Sequence, residues 1–326
     1  MKILVTGGAG FIGSVVTEQL IAQGHQVVVF DSLIYGHSAA VHPDAKLVVG
    51  NLLDAAGLRA LIGAEGFDAV AHLAAEAYID ESLRDPGRFY RANVTGGINL
   101  LDAMVAAGVK RLVFSSTAAV YGQPRETPIP EDAPHDPCNS YGDSKLTFEK
   151  LLAWYRVAHQ LDYICLRYFN ACGASERCGE SRKKETHLIP ICFEVALQQR
   201  PILNLFGTDY ETPDGTCIRD YVHVEDIAGA HLLALQNLHR VGARAYNLGN
   251  GEGYSNREVV EAVRKVTGRP VPVVDSPRRP GDPARLVASS SRIREELGWK
   301  PQFPELARMV ETAWDWRQQH PEGYAG

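Results

Sequence analysis

Tyr141 and Lys145, in the run Ser140-Tyr-Gly-Asp-Ser-Lys145, are the residues whose types and spacing suggest chemistry most directly. Four positions apart on a helix, they share a face. A tyrosine with a pKa of ~10 is a poor base at neutral pH, and bringing it to ~7 takes about 4 kcal/mol of preferential phenolate stabilisation. One cation at ~4 Å in an effective dielectric of ~20 supplies about that much. Lys145 is expected to be that cation, and an oxidised nicotinamide would add positive charge. Tyr141 then acts as general base when an alcohol is oxidised and as acid in the reverse direction. Thr117, in Ser115-Ser116-Thr117, is expected to hydrogen-bond the reacting oxygen. Any surface helix can carry a Tyr/Lys pair, so its weight comes from what precedes it.

What precedes it is Thr6-Gly-Gly-Ala-Gly-Phe-Ile-Gly13, directly after an apolar run and directly before a helical pattern. That context is what a dinucleotide fingerprint requires. Gly7 permits the tight turn, Gly10 lets the backbone approach a pyrophosphate, and Gly13 allows close helix–sheet packing. The freed amides and the helix dipole then bind phosphates. Asp31 closes the second predicted strand, where its carboxylate accepts both adenosine ribose hydroxyls and repels a 2′-phosphate; NAD is expected rather than NADP.

These groups need a scaffold. Ile3–Val5, Val27–Phe30, Leu47–Val49, Ala69–Leu73 and Leu112–Ser115 read as short buried strands, with helical patterns near Ser14–Gln23, Ala55–Ile62 and Phe89–Ala107 between them. A further helix is predicted over Tyr141–His159 and a strand over Tyr163–Tyr168. Strands alternating with helices imply right-handed crossovers and an α/β fold, a Rossmann-type doubly wound parallel sheet. Residues 171–186, rich in Gly, Ser and charge, read as a loop over something. Pro270–Pro283 reads as too rigid and polar for a core element. The second half resembles a smaller, less regular cap.

Composition narrows the class. The 326 residues, 45% of them hydrophobic, suffice for one large or two ordinary domains. A formal net charge of −6 argues against nucleic acid or an anionic membrane as partner. The six cysteines are scattered without metal-ligand spacing, so no metal site and reduced thiols are expected. No signal-peptide pattern opens the chain and no apolar run approaches the ~20 residues a bilayer demands. A cytoplasmic protein is expected.

Across nearly its whole length the chain resembles the extended short-chain dehydrogenase/reductase superfamily and, within it, the UDP-glucose 4-epimerase family. The resemblance is carried by Thr6–Gly13, Phe114–Gly122, Tyr141–Lys145 and Leu166-Arg-Tyr-Phe-Asn170, and more specifically by Phe206–Thr216, Arg219-Asp-Tyr-Val-His-Val224 and Arg278-Arg-Pro-Gly-Asp282. It implies a non-consuming redox cycle on tightly held NAD, in which Tyr141 takes the 4-hydroxyl proton of a UDP-hexose and a 4-keto sugar turns over within the site. It further implies a cofactor-binding domain over 1–170, with 217–250 returning to it, and a mainly UDP-sugar-binding domain over 171–326. On the NAD side it points to Phe11 and Ile12 beside the glycines, to Asn51 and Leu52 near Asp31, and to Leu73, Ala74 and Ala75. Asn93, Ser115 and Tyr168 join Tyr141 and Lys145 there. On the substrate side it points to Thr117, Tyr141, Asn170, His187, Leu188, Leu205, Phe206 and Tyr221. Arg219 and Arg279 match diphosphate contacts, a task that suits planar guanidinium groups. Asp282 matches a ribose contact, and Leu286 the residue that gates space beside the sugar 2-substituent. A homodimer packed through helices near 89–107 and 141–159 is also implied.

The chain departs from the family pattern in places. Asn51 stands where an acid usually faces the adenine, which should soften NAD binding. Thr117 replaces the usual serine, and Glu76 lies near a position where some relatives place a lysine. Other readings stay open. Leu286 is neither bulky nor small, leaving UDP-N-acetylhexosamines possible, and UDP-pentose or UDP-uronate 4-epimerases share the same motifs. A nucleotide-sugar dehydratase would want an Asp-Glu pair after Thr117, where this chain has Ala118-Ala119. A catalytically silent NAD-sensing module would have no need of Tyr141 and Lys145.

Overall fold

Apolar strands without polar alternation need cover on both faces, and the first strand receives it. In the computed structural model, which describes residues 1–279 and 281–324, Ile3 and Val5 point into one core and Leu4 into another. The strand, β1 (Lys2–Thr6), is joined by β2 (Gln26–Asp31), β3 (Lys46–Val49), β4 (Ala69–His72), β5 (Arg111–Thr117), β6 (Asp162–Tyr168) and β7 (Ala243–Leu248). The seven run parallel in the order β7-β6-β5-β4-β1-β2-β3. One face is covered by the helices Phe11–Ala22 and Val224–Val241. The other is covered by Ala55–Glu65, Gly96–Ala106 and Ser140–His159. The chain leaves β1 toward β2 on one side and returns to β4 on the other, so the carboxyl ends of β1 and β4 open a crevice at the switch point.

Two predicted elements take a different form. The helix expected over Phe89–Ala107 is broken: a short turn at Pro86–Phe89 leads into a π-helical stretch, Tyr90–Thr95, before the α-helix Gly96–Ala106. Such wide turns re-aim side chains, and here Asn93 is turned into the interior. Close packing follows directly, since a side chain on Gly97 would begin 2.3 Å from the Phe148 ring. Within 270–283, expected to hold no regular element, Val273–Ser276 pairs in parallel with Leu203–Phe206. Pro272 and Pro277 bracket that strand, which works as a half-exposed edge and so needs no apolar core face.

The helix carrying Tyr141 begins where Asn139 accepts a hydrogen bond from the Gly142 amide at 2.8 Å, an N-cap arrangement. Gly142 then seats on the turn after β5, where any side chain would begin 2.6 Å from the Ala119 carbonyl. In the second half, the helices Leu188–Ala196, Asn256–Thr267 and Leu306–Gln319 enclose a separate core containing Phe193, Val259, Met309 and Trp314. Asn170–Cys172 pairs in parallel with Tyr221–His223 and connects the two layers. All six cysteines carry free thiols, five of them buried. Among the described residues, no helix is long and apolar enough to cross a membrane.

Candidate active site

The glycine loop fits a dinucleotide on steric grounds. Gly7 has φ +75°, and a side chain there would begin 2.5 Å from the Ala74 amide nitrogen. At Gly13 it would begin 2.1 Å from the Gly7 carbonyl oxygen. Gly10 differs: a side chain there would meet only that carbonyl, at 3.3 Å, so its free side faces the cleft. No side chain caps the helix that follows, which leaves its first amides for a phosphate. Asp31 accepts from the Ala9 amide at 3.0 Å and the Leu33 amide at 2.9 Å. A cleft is lined there by Gly7, Gly10, Asp31, Asn51, Leu52, Leu73, Ala74 and Ala75. Asn51 spends its carbonyl on the Leu53 amide at 2.9 Å, so it offers the cleft chiefly its NH₂ group as a donor. Apolar walls, a carboxylate and a bare helix start suit NAD.

The crevice continues into a cleft lined by Phe11, Ile12, Gly13, Ser115, Thr117, Tyr141, Lys145, Tyr168, Asn170 and His187. Lys145 is 2% exposed. Its Nζ donates to the Ser115 carbonyl at 2.8 Å and lies 4.8 Å from the Phe114 ring centre. Burial pulls this ammonium down to about 7, against the pull of Glu149 one turn along. At Tyr141 burial raises the pKa of the phenol, against a hydrogen bond with Thr117 and the charge of Arg182. Tyr168 donates or accepts at His231 Nε2, 2.6 Å away, and burial drives its phenol far upward.

Asn93 lines neither cleft. Its carbonyl accepts from the Glu76 amide at 2.8 Å, and its NH₂ donates to the Glu76 carbonyl and to Ser144 Oγ at 3.1 and 2.9 Å. It ties the strand-end wall to the Tyr141 helix. Glu76 does face the cofactor cleft, where Arg88 pairs with it at 2.6 Å.

The expected substrate residues divide. Asn170, His187, Leu188 and Tyr221 line an adjoining cavity. There Glu180, Glu185 and His187 gather within 4.8 Å. Arg182 Nε sits 2.7 Å from Glu180 Oε1, so the group is an ion-paired cluster. Burial works against the His187 imidazolium, yet Glu180 carries it up to about 9. Thr117 and Tyr141 line the central cleft, Leu205, Phe206, Arg219 and Leu286 lie on short strands of two separate sheets, and Arg279 and Asp282 fall outside the strands. The Arg279 guanidinium lies 4.2 Å from the Phe206 ring centre, and Arg219 pairs with Asp282 at 3.5 Å. Leu286 pairs in register with Arg219 and packs against the cluster that contains Ala118, Leu146 and Phe169. Leu205, on the strand Leu203–Phe206, is buried. Pro280, within the predicted Arg278–Asp282 segment, lies outside the described residues. Cleft residues that sequence reasoning missed are Tyr35, Tyr78, Phe169, Ser181 and Arg182. For Ser181 and Arg182 the signal was the charged composition of 171–186; Tyr35, Tyr78 and Phe169 lie outside that segment.

Residues 3–249 match the model of the NAD dependent epimerase/dehydratase family. The chain belongs to that family. It is 48% identical to the UDP-glucose 4-epimerase of Halalkalibacterium halodurans, over 100% of this chain and 98% of that protein. A crystal structure of a UDP-glucose 4-epimerase superposes with a TM-score of 0.97 at 46% identity, over the full length of both chains. That of the Brucella ovis UDP-glucose 4-epimerase in complex with NAD gives 0.93 at 44% identity, over 99% of this chain and 98% of that one.

Proposed function

We infer that the chain catalyses NAD-dependent 4-epimerisation of a UDP-hexose, interconverting UDP-galactose and UDP-glucose through a transient 4-keto sugar. The observation that carries this reading is the single crevice joining the glycine loop and Asp31 to Tyr141, Thr117 and Asn170. Bound NAD supplies the two-electron acceptor and donor for carbon 4. Tyr141 removes the 4-hydroxyl proton and returns it after the sugar has turned, with Thr117 aligning the oxygen. Lys145, one helical turn along from Tyr141, holds the Ser115 carbonyl. Arg219 and Arg279 are proposed to hold the diphosphate, Phe206 and Leu188 the uridine, and Asp282 the ribose. Firm anchorage at that end leaves the hexose free to turn. Ala118-Ala119 after Thr117 offers no acid/base pair for eliminating water, which favours epimerisation over dehydration.

We take residues 1–170 with 217–250 as the cofactor-holding part and 171–326 as mainly substrate-holding. The proposed assembly is a cytoplasmic homodimer. Trp154 and Val157, 70% and 76% exposed on the Ser140–His159 helix, support packing through that helix, because such apolar surface is covered in stable assemblies. Purified protein incubated with UDP-galactose, UDP-N-acetylgalactosamine, UDP-xylose and UDP-glucuronate, without added NAD, tests the function. UDP-glucose from UDP-galactose is expected; conversion of the uronate or pentose alone would replace this reading.

A further inference from the structure

We propose that Arg182 is a positioning residue of the reaction, its guanidinium held over the cleft so that a second positive charge faces the Tyr141 hydroxyl. The residue reaches the cleft from the loop after Asn170–Cys172 and lines both the Tyr141/Thr117 cleft and the adjoining cavity of Asn170 and Leu188. Its side chain is 26% exposed, and Nε lies 2.7 Å from Glu180 Oε1. The guanidinium stands 5.7 Å from the Tyr78 ring centre. Neighbouring contacts fix the loop across the crevice: His37 Nε2 meets the Ser181 carbonyl at 3.0 Å, and Lys184 pairs with Glu81 at 3.4 Å. Lys145, on the Tyr141 helix, meanwhile directs its ammonium to the Ser115 carbonyl. The Arg182 charge reaches the cleft from the loop instead.

The charged and titratable groups around the pair are few. Glu180, Glu185 and His187 come from the loop, Tyr78 and Glu81 from the segment after β4, Lys145 from the Tyr141 helix, and Tyr168 from β6. Glu180 takes up part of the Arg182 charge, and what remains favours the phenolate. An incompletely screened opposite charge of this kind lowers an acid's pKa by about one unit or more. The inference rests on Tyr141 being the base.

Two measurements on the purified full-length protein test it. Phenolate absorbance is titrated in wild type and in Tyr141→Phe, and the difference isolates one of the 13 tyrosines. The same difference is then taken with Arg182→Met in both. The Tyr141 titration should move up by about one pH unit. The acid limb of kcat on UDP-galactose should move with it, while KM changes less than about threefold. Arg182→Lys should restore the limb. Glu180→Gln, which frees the guanidinium, should move it the opposite way and serves if Arg182→Met does not fold. An unmoved titration overturns the proposal, as does a raised KM with an unmoved limb, which would make Arg182 a substrate contact. If the wild-type protein turned over no UDP-sugar, the functional reading would fail while the absorbance titration still stood on its own.

Discussion

The two ends of the crevice are built in different ways. At the cofactor end, backbone does the work: Gly7, Gly10 and Gly13 shape a loop whose tolerances are tenths of an ångström, and Asp31 is pinned by two amides. At the other end, side chains hold one another. Arg279 lies on Phe206, Arg219 meets Asp282, and Glu180 is shared by Arg182 and His187. The first end has little freedom to adjust, whereas the charge pairs at the second can exchange partners. Rigid backbone suits a cofactor that stays; exchangeable charge pairs suit a substrate that enters and leaves.

That contrast can be broken from either side. Tyr141→Phe, at the junction, should lower kcat by roughly 10²–10⁴ while the purified protein keeps its NAD; turnover near wild type would remove Tyr141 as the base. Arg219→Ala should raise KM for UDP-galactose by roughly 10–100-fold, the range for lost hydrogen bonds to charge, without lowering bound NAD. A loss of NAD in that variant would show the two ends to be one unit. Gly13→Ala should do the reverse. It should lower stability by about 1–3 kcal/mol and strip the cofactor, read from denaturant midpoints and the nucleotide released on heating. The smallest effect is expected at Leu286→Tyr. Activity on UDP-galactose should hold, and any activity on UDP-N-acetylgalactosamine should fall by about tenfold. Equal activity on both sugars would exclude Leu286 as the gate.

Legibility in the sequence follows the same division. Strand and helix positions in the first half were readable because buried parallel strands leave continuous apolar runs, and because Gly7 and Gly13 occur only where backbone meets backbone. Asn93 was expected beside the cofactor, yet its turn inward depends on a π-helical stretch that periodicity reads as ordinary helix. Lys145 was expected to act on Tyr141 because four residues separate them; where its ammonium points depends on the Ser115 carbonyl, a partner from another strand. Arg182 went unread because a charged loop gives no hint of which charge faces inward. Val273–Ser276 was hidden by the prolines that bracket it.

The seat of Gly142 on the Ala119 carbonyl has a consequence for how such a protein can diversify. Tyr141 and Thr117 sit on either side of that contact, one on the helix and one on the strand end, so neither can shift without prying the two elements apart. Descendants of this chain that take up a new sugar would have to leave this joint alone. Their changes would accumulate in the loops around Arg182, Arg279 and Leu286, where a substitution alters what is admitted and leaves the proton-handling step in place.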